Sequence, residues 1–231
     1  VIMIANHMPY ASSSKDSFEV MFDNLLMVKN LLLALERTPV AEIIFASSVD
    51  VYGVCDSVID ESTALNPLTN YAASKVACEI LLKVRLTQLS IPFLNFRLPQ
   101  IIGEYDPSPK VVNRFLNAAA NGMPIVVTGD GSSSRDFVSV SDVAKIILRS
   151  VGQRVNTTIN LVSGNALTML GLVDILKDLN PEVDVSFDNG SSRETRFRFD
   201  SGKFKRYFPG FIFENRANVL KQIYDYKRER L

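Results

Sequence analysis

Tyr71 and Lys75 stand four residues apart in the stretch Asn70-Tyr71-Ala72-Ala73-Ser74-Lys75, where a titratable pair has a spacing with an obvious chemical use. If a helix opens at Asn70, both side chains lie on one face of it. A free phenol loses its proton only near pH ~10, but an ammonium held close favours the phenolate and brings the pair into range for general acid/base work. The same spacing occurs on many amphipathic helices for structural reasons alone. What adds weight is a pair of hydroxyls upstream, Ser47 and Ser48, which close an apolar run.

Such groups need elements to hold them. Val1-Ile2-Met3-Ile4-Ala5 is an apolar run of strand length, with no charged leader and too few apolar residues for a signal or membrane segment, so the chain reads as beginning inside a buried strand. Across 16–36, Phe18, Phe22, Leu25, Leu26, Val28, Leu32 and Leu35 recur at helical spacing. Asn24 interrupts them, as either a solvated or capping residue or a functional one. Pro39 ends that helix, and 42–48 reads as a short buried strand ending in the two serines. A helix over 70–87 and an apolar strand over 91–102 follow. This alternation argues for parallel βαβ units, in which ligands bind beyond the carboxyl ends of the strands, where Ser47 and Ser48 fall. Farther on, 113–121 reads as helix, 124–128 as strand, 129–134 as a turn and 143–151 as helix. Residues 158–163 read as a strand able to rejoin the first sheet, 167–179 as helix, and 189–201 as a polar, arginine-rich stretch.

With 231 residues, 47% of them hydrophobic, the chain can bury a core in one large or two small domains. Its 25 Lys and Arg balance 25 Asp and Glu, and no basic stripe precedes the last few residues, which argues against nucleic acid as a partner. Cys55 and Cys78 make no disulfide framework and read as reduced thiols of a cytoplasmic protein; one histidine, His7, leaves no zinc-type cluster and no expected metal. His7 itself reads as structural.

Several segments taken in order carry a resemblance. They are Asp23-Asn24-Leu25 with Asn30-Leu31-Leu32; the serine turn 45–53, Phe-Ala-Ser-Ser-Val-Asp-Val-Tyr-Gly; Tyr71-x-x-x-Lys75; and Phe96-Arg97-Leu98 with Gly103. Gly122-Met123-Pro124-Ile125, Gly129-Asp130-Gly131, Arg135-Asp136-Phe137-Val138, Asp142-Val143-Ala144 and Asp200-Ser201-Gly202-Lys203 complete the set. Together they resemble the extended short-chain dehydrogenase/reductase family, in its branch of NAD-dependent nucleotide-sugar epimerases and dehydratases. The resemblance implies an α/β fold: a Rossmann-like doubly wound parallel sheet lacking its first βαβ units, with a smaller mixed α/β C-terminal substrate domain. Residues 1–105 would belong to the NAD-binding part, rejoined by the strand near 157–164, and 106–231 to the nucleotide-sugar part.

The resemblance also implies roles. Tyr71 is the acid/base, and Lys75 tunes it and holds the nicotinamide ribose of NAD or NADP. Ser48 hydrogen-bonds the reacting sugar hydroxyl or carbonyl, with Ser47 as the runner-up and a cofactor neighbour; Asn24 and Ala5 belong to the cofactor side. Gln100, Arg135 and Arg196, the last chosen among Arg193, Arg196 and Arg198, would hold a nucleoside-diphosphate sugar, a task suited to the guanidinium fork. The helices 16–36 and 70–87 would pair in a homodimer. The reaction would be epimerisation or keto reduction through hydride transfer.

Two departures qualify that reading. Val49 follows Ser48 and Asp50 stands alone where the 4,6-dehydratases carry acidic residues directly after the hydroxyl, which disfavours dehydration; Gln100 replaces an asparagine common among epimerases. The sequence also holds no Gly-x-Gly-x-x-Gly loop to bring backbone amides to a pyrophosphate. It therefore corresponds to the family from its fourth strand onward, as a fragment or a natural truncation. A non-catalytic remnant that binds sugar nucleotides or dimerises is the alternative.

Overall fold

The computed structural model describes residues 1–8, 17–55, 57–188 and 197–230. In chain order the first elements are β1 (Ile2–Met3), α1 (Phe18–Leu35), β2 (Ile43–Ser48), α2 (Asn70–Gln88) and β3 (Phe93–Leu98). All six residues of β2 are buried, as expected of a strand covered on both faces. It pairs in parallel with β1 and β3, Ile44 lying opposite Ile2 and Leu94, and Ser47 opposite Arg97. Successive side chains point to opposite faces. Ile43 and Phe45 therefore pack with Val28, Cys78, Leu82 and Leu86 from α1 and α2, while Ile44 joins Leu94 and Phe96 in a cluster on the other side.

Where the sequence predicts one strand over 91–102, the structure has two. Pro99 has no N–H to donate, so the ladder stops at Leu98 and the chain leaves the sheet as β4 (Gln100–Ile102). Next come α3 (Val111–Ala120), β5 (Ile125–Thr128), β6 (Ser134–Arg135), β7 (Phe137–Ser139) and α4 (Val140–Ser150). β4 pairs with β7. α4 starts earlier than its apolar period suggests because the Ser139 hydroxyl caps it, accepting from Asp142 N at 3.0 Å. Then follow β8 (Thr157–Asn160), β9 (Leu167–Thr168), α5 (Met169–Leu179), β10 (Val185–Asp188), α6 (Gly202–Tyr207) and α7 (Arg216–Arg228). β8 pairs in parallel with β3, giving the sheet order β1-β2-β3-β8.

Val143 and Ile146 of α4 and Phe204 of α6 cover the face of this sheet opposite α1 and α2, so helices flank both sides in the doubly wound manner. A separate core gathers α3, α5 and α7 around Phe115, Leu116, Leu172, Leu176, Leu220 and Ile223, with β5 beside it. β5 and β10 form a small parallel pair. Among the described residues, no helix is long and apolar enough to cross a membrane.

Candidate active site

The Thr69 hydroxyl accepts from Ala72 N at 3.0 Å and caps α2, which fixes where the helix begins. Tyr71 and Lys75 then fall on the buried face, 8% and 2% exposed. The Lys75 Nζ donates to the Ala46 carbonyl at 2.8 Å and sits 4.9 Å from the Phe45 ring centre and 5.8 Å from that of Tyr71. At the end of β2, the Ser48 Oγ accepts from Asp50 N at 3.2 Å and opens the 3-10 turn Val49–Tyr52. Tyr52 of this turn is fully buried, and its hydroxyl donates to Asn160 Oδ1 of β8 at 2.8 Å.

Burial pulls the Lys75 ammonium down to about 8 from its ordinary 10.5, against the opposing pull of Cys78 and Glu79. Lysine-selective NMR should accordingly show Lys75 titrating near pH 8, apart from the surface lysines. The stability linkage follows from the sign of the shift. Because the folded value lies below the unfolded one, the cost of burying this charge is full below pH 8 and fades as pH rises toward 10.5. Burial pushes the Cys78 thiol up to about 11 from 9.0, which works in the opposite direction above pH 9. From these two groups, the urea unfolding free energy should rise between pH 8 and 9 and then level off.

A cavity of about 570 Å³ opens at the carboxyl ends of β2 and β3. Ser47, Ser48, Tyr71, Lys75, Gln100 and Arg135 all line it, so residues from four separate stretches of sequence share one wall space. The Arg135 guanidinium lies 4.8 Å from the Phe197 ring centre, and its Nη1 donates to the Ser134 carbonyl at 2.9 Å. Burial lowers its pKa and the charge of Asp50 opposes that shift. Buried Asp136 also lines the cavity and holds the loop after β8, accepting from the Ser163 hydroxyl and Gly164 N, each at 2.8 Å. Burial raises the pKa of Asp136.

Other expected site residues lie elsewhere. Asn24 is 3% exposed, and its amide is spent on its own chain: Oδ1 accepts from His7 N at 2.7 Å, while Nδ2 donates to His7 O at 3.0 Å and Ser74 Oγ at 2.9 Å. It thereby ties the segment after β1 to both helices. Ala5 stands between Ile4 and Asn6, which line the cavity while Ala5 does not. Arg193 and Arg196 lie outside the described residues. Arg198 is exposed, and its backbone carbonyl accepts from Ile59 N at 2.8 Å. The sequence reading missed Lys110, Phe197 and Phe199, which also line the cavity. Lys110 stands at the N-cap of α3 in an unremarkable loop, and only the fold brings it near Arg135.

Residues 1–161 match the family model described as the NAD dependent epimerase/dehydratase family. The chain is 27% identical over 159 residues to YtcB of Bacillus subtilis (strain 168), named as an uncharacterized UDP-glucose epimerase, covering 68% of this chain and 50% of that protein. It is 31% identical over 181 residues to a dTDP-4-dehydro-6-deoxyglucose reductase of Escherichia coli, covering 76% and 56%. Proteins named as dTDP-D-glucose 4,6-dehydratases are also similar. Among solved structures, a UDP-N-acetylglucosamine 4-epimerase from Methanobrevibacter ruminantium M1, in complex with UDP-N-acetylmuramic acid, superposes with a TM-score of 0.89 at 25% identity, over 100% of this chain and 76% of that one. The chain spans about half the length of the curated relatives it matches. With a parallel doubly wound sheet and a family match running from β1 through β8, the chain belongs to the NAD dependent epimerase/dehydratase family.

Proposed function

We propose that this chain carries the substrate-reacting part of an NAD(P)-dependent nucleotide-sugar epimerase or ketoreductase. The observation that carries the reading is the convergence of Tyr71, Lys75 and Ser48 on one cavity at the carboxyl ends of parallel strands. Tyr71 takes the proton from a sugar hydroxyl, or returns it to the oxygen of a keto sugar. The Lys75 ammonium, charged below pH 8, stabilises the phenolate. Ser48 orients the reacting oxygen, and Arg135 with Lys110 offers two cations to the diphosphate. NAD, when bound, supplies the hydride acceptor and donor. The residues present fit its nicotinamide-ribose end, where Lys75 and Tyr71 face the cavity; the glycine loop for the pyrophosphate is not in this sequence.

Val49, in the position of a second acid, favours epimerisation or reduction over dehydration, and Asp50 lines the cavity within the field of Arg135. Calorimetric titration with NAD, and separately with UDP-sugars, tests the reading. Binding of both supports it, and binding of neither sinks it. A second reading, nucleotide-sugar binding without turnover, rests on Arg135 and Lys110 at the cavity and would show as diphosphate binding without NAD.

We also propose a homodimer through α1 and α2. Phe18, Phe22, Leu26 and Leu33 on α1 and Ile80, Leu81 and Val84 on α2 are large apolar side chains left exposed. Phe22, Leu26, Leu33 and Leu81 line one surface groove, and an exposed apolar patch of this kind marks an interface. Leu26→Glu should weaken self-association at least about a hundredfold in sedimentation equilibrium, since a buried unpaired carboxylate replaces apolar contact. An unchanged dimer, or a monomeric parent, would overturn the assignment.

A further inference from the structure

Behind the serine turn lies a set of charged side chains that the proposed chemistry does not use. Glu79 follows Lys75 by one turn on the buried face of α2 and is 7% exposed; Arg97, on β3, is 6% exposed. Arg97 grips the carboxylate as a fork, Nε donating to Oε1 at 3.1 Å and Nη2 to Oε2 at 2.7 Å. The same Oε1 accepts the Ser47 hydroxyl. The remaining nitrogen, Nη1, donates to the Tyr52 phenol oxygen at 2.8 Å, and that phenol donates onward to Asn160 Oδ1 at 2.8 Å. One ion pair thus reaches the end of β2, α2, β3, the 3-10 turn and β8.

Taking two charges out of water is costly, and an apolar pair of the same shape often stabilises a fold as well or better. What the pair adds is directional: a fork accepts one geometry, whereas apolar contacts accept many. The attachment points show what that geometry controls. Lys75 bonds the carbonyl of Ala46, and Glu79 bonds the hydroxyl of Ser47, so two α2 side chains one turn apart hold two successive residues of β2. The next residue is Ser48.

We propose that the Glu79–Arg97 pair is the positioning device of the Tyr71, Lys75 and Ser48 group, fixing the rotation and height of α2 against the end of β2. This rests on the reading of Tyr71 as acid/base. The titratable and charged groups around Lys75 are Tyr71, Cys78 and Glu79 from α2 and, beyond Glu79, Arg97 from β3; β2 contributes the Ala46 carbonyl and the Phe45 ring. Among the described residues, α1 contributes the neutral Asn24 carbonyl that accepts the Cys78 thiol. Glu79 is therefore the nearby carboxylate that both places and electrostatically supports the Lys75 ammonium.

The test compares the parent with Glu79→Gln and with the double variant Glu79→Leu/Arg97→Met, which fills similar volume without leaving a lone buried charge. Circular dichroism verifies the fold, NMR follows the Lys75 titration, and steady-state kinetics on a nucleotide sugar separates kcat from KM. The Lys75 midpoint should fall from about 8 by about one unit, a tenfold loss of proton affinity, and further in Glu79→Gln, where Arg97 is left uncompensated. Turnover should drop about tenfold or more in kcat with little change in KM. A folded double variant with the parent's Lys75 midpoint and kcat overturns the proposal. The Lys75 titration needs no substrate, so a parent that binds neither NAD nor nucleotide sugar would sink the functional reading while leaving the positioning result legible.

Discussion

Replacing Tyr71 with phenylalanine should reduce turnover of a nucleotide sugar by about 10³-fold, within the range supplied by a positioned acid/base group. The substitution removes one oxygen and keeps the ring, which is 8% exposed and 5.8 Å from the Lys75 ammonium. Packing on β2 and the cation's aromatic neighbour are therefore retained, and stability should change by no more than about 1 kcal/mol. Sugar-nucleotide affinity should stay within a few fold, because the diphosphate contacts proposed for Arg135 and Lys110 lie outside the altered group. Calorimetry for binding and progress curves for turnover separate the two effects. A Tyr71→Phe protein that turns over at the parent's rate sinks the acid/base assignment. One that loses binding and rate together shows a structural role instead.

The second large effect is on stability. Gly53 closes the serine turn at φ 64 and ψ −147, a region open to glycine and to almost nothing else. A Cβ there would lie 2.1 Å from the Asn66 carbonyl oxygen and 3.2 Å from Leu68 Cγ. The Asn66 backbone cannot easily retreat, since its N–H donates to the Val51 carbonyl at 2.9 Å. Gly53→Ala should thus cost at least about 3 kcal/mol in urea unfolding, adding backbone strain to a clash with main chain. Gly122 supplies the control: its φ is 66, but nothing lies within 4 Å of the added methyl. Gly122→Ala should cost only about 1 kcal/mol, the strain alone. Equal losses at the two sites would show that crowding at the serine turn is not what makes Gly53 necessary. Since the turn follows Ser48 directly, the surviving Gly53→Ala protein should also lose turnover.

Much of the scaffold was legible because its signals are local. An amphipathic period reports a helix face whatever that face packs on, so the spacing of Tyr71 and Lys75 on one side of α2 could be read from residue types alone. The same holds for the apolar run of β2 ending in Ser47 and Ser48, and for the return of a strand after 157. Boundaries slipped where a single residue overrode the period: Pro99 split a strand, and Ser139 started α4 ahead of its apolar face.

What the tertiary structure decided are the properties that depend on residues far apart in sequence. Lys75 titrates low because α2 presses it under β2, which no spacing reveals. Asn24 looked like a candidate for the cofactor side, yet its amide is occupied by His7 and Ser74, partners brought together by the crossing of α1 and α2. Lys110 and Phe197, far from Arg135 in sequence, meet it only at the cavity, where the Phe197 N–H donates to the Ser134 carbonyl at 3.4 Å. Glu79 and Arg97 read as ordinary charges until β3 lies beside β2. Sequence by itself determined the elements and the reactive residue types, since backbone dihedrals and apolar periods are local; charge state, pairing and the shape of the cavity came from topology, since burial and field act through space.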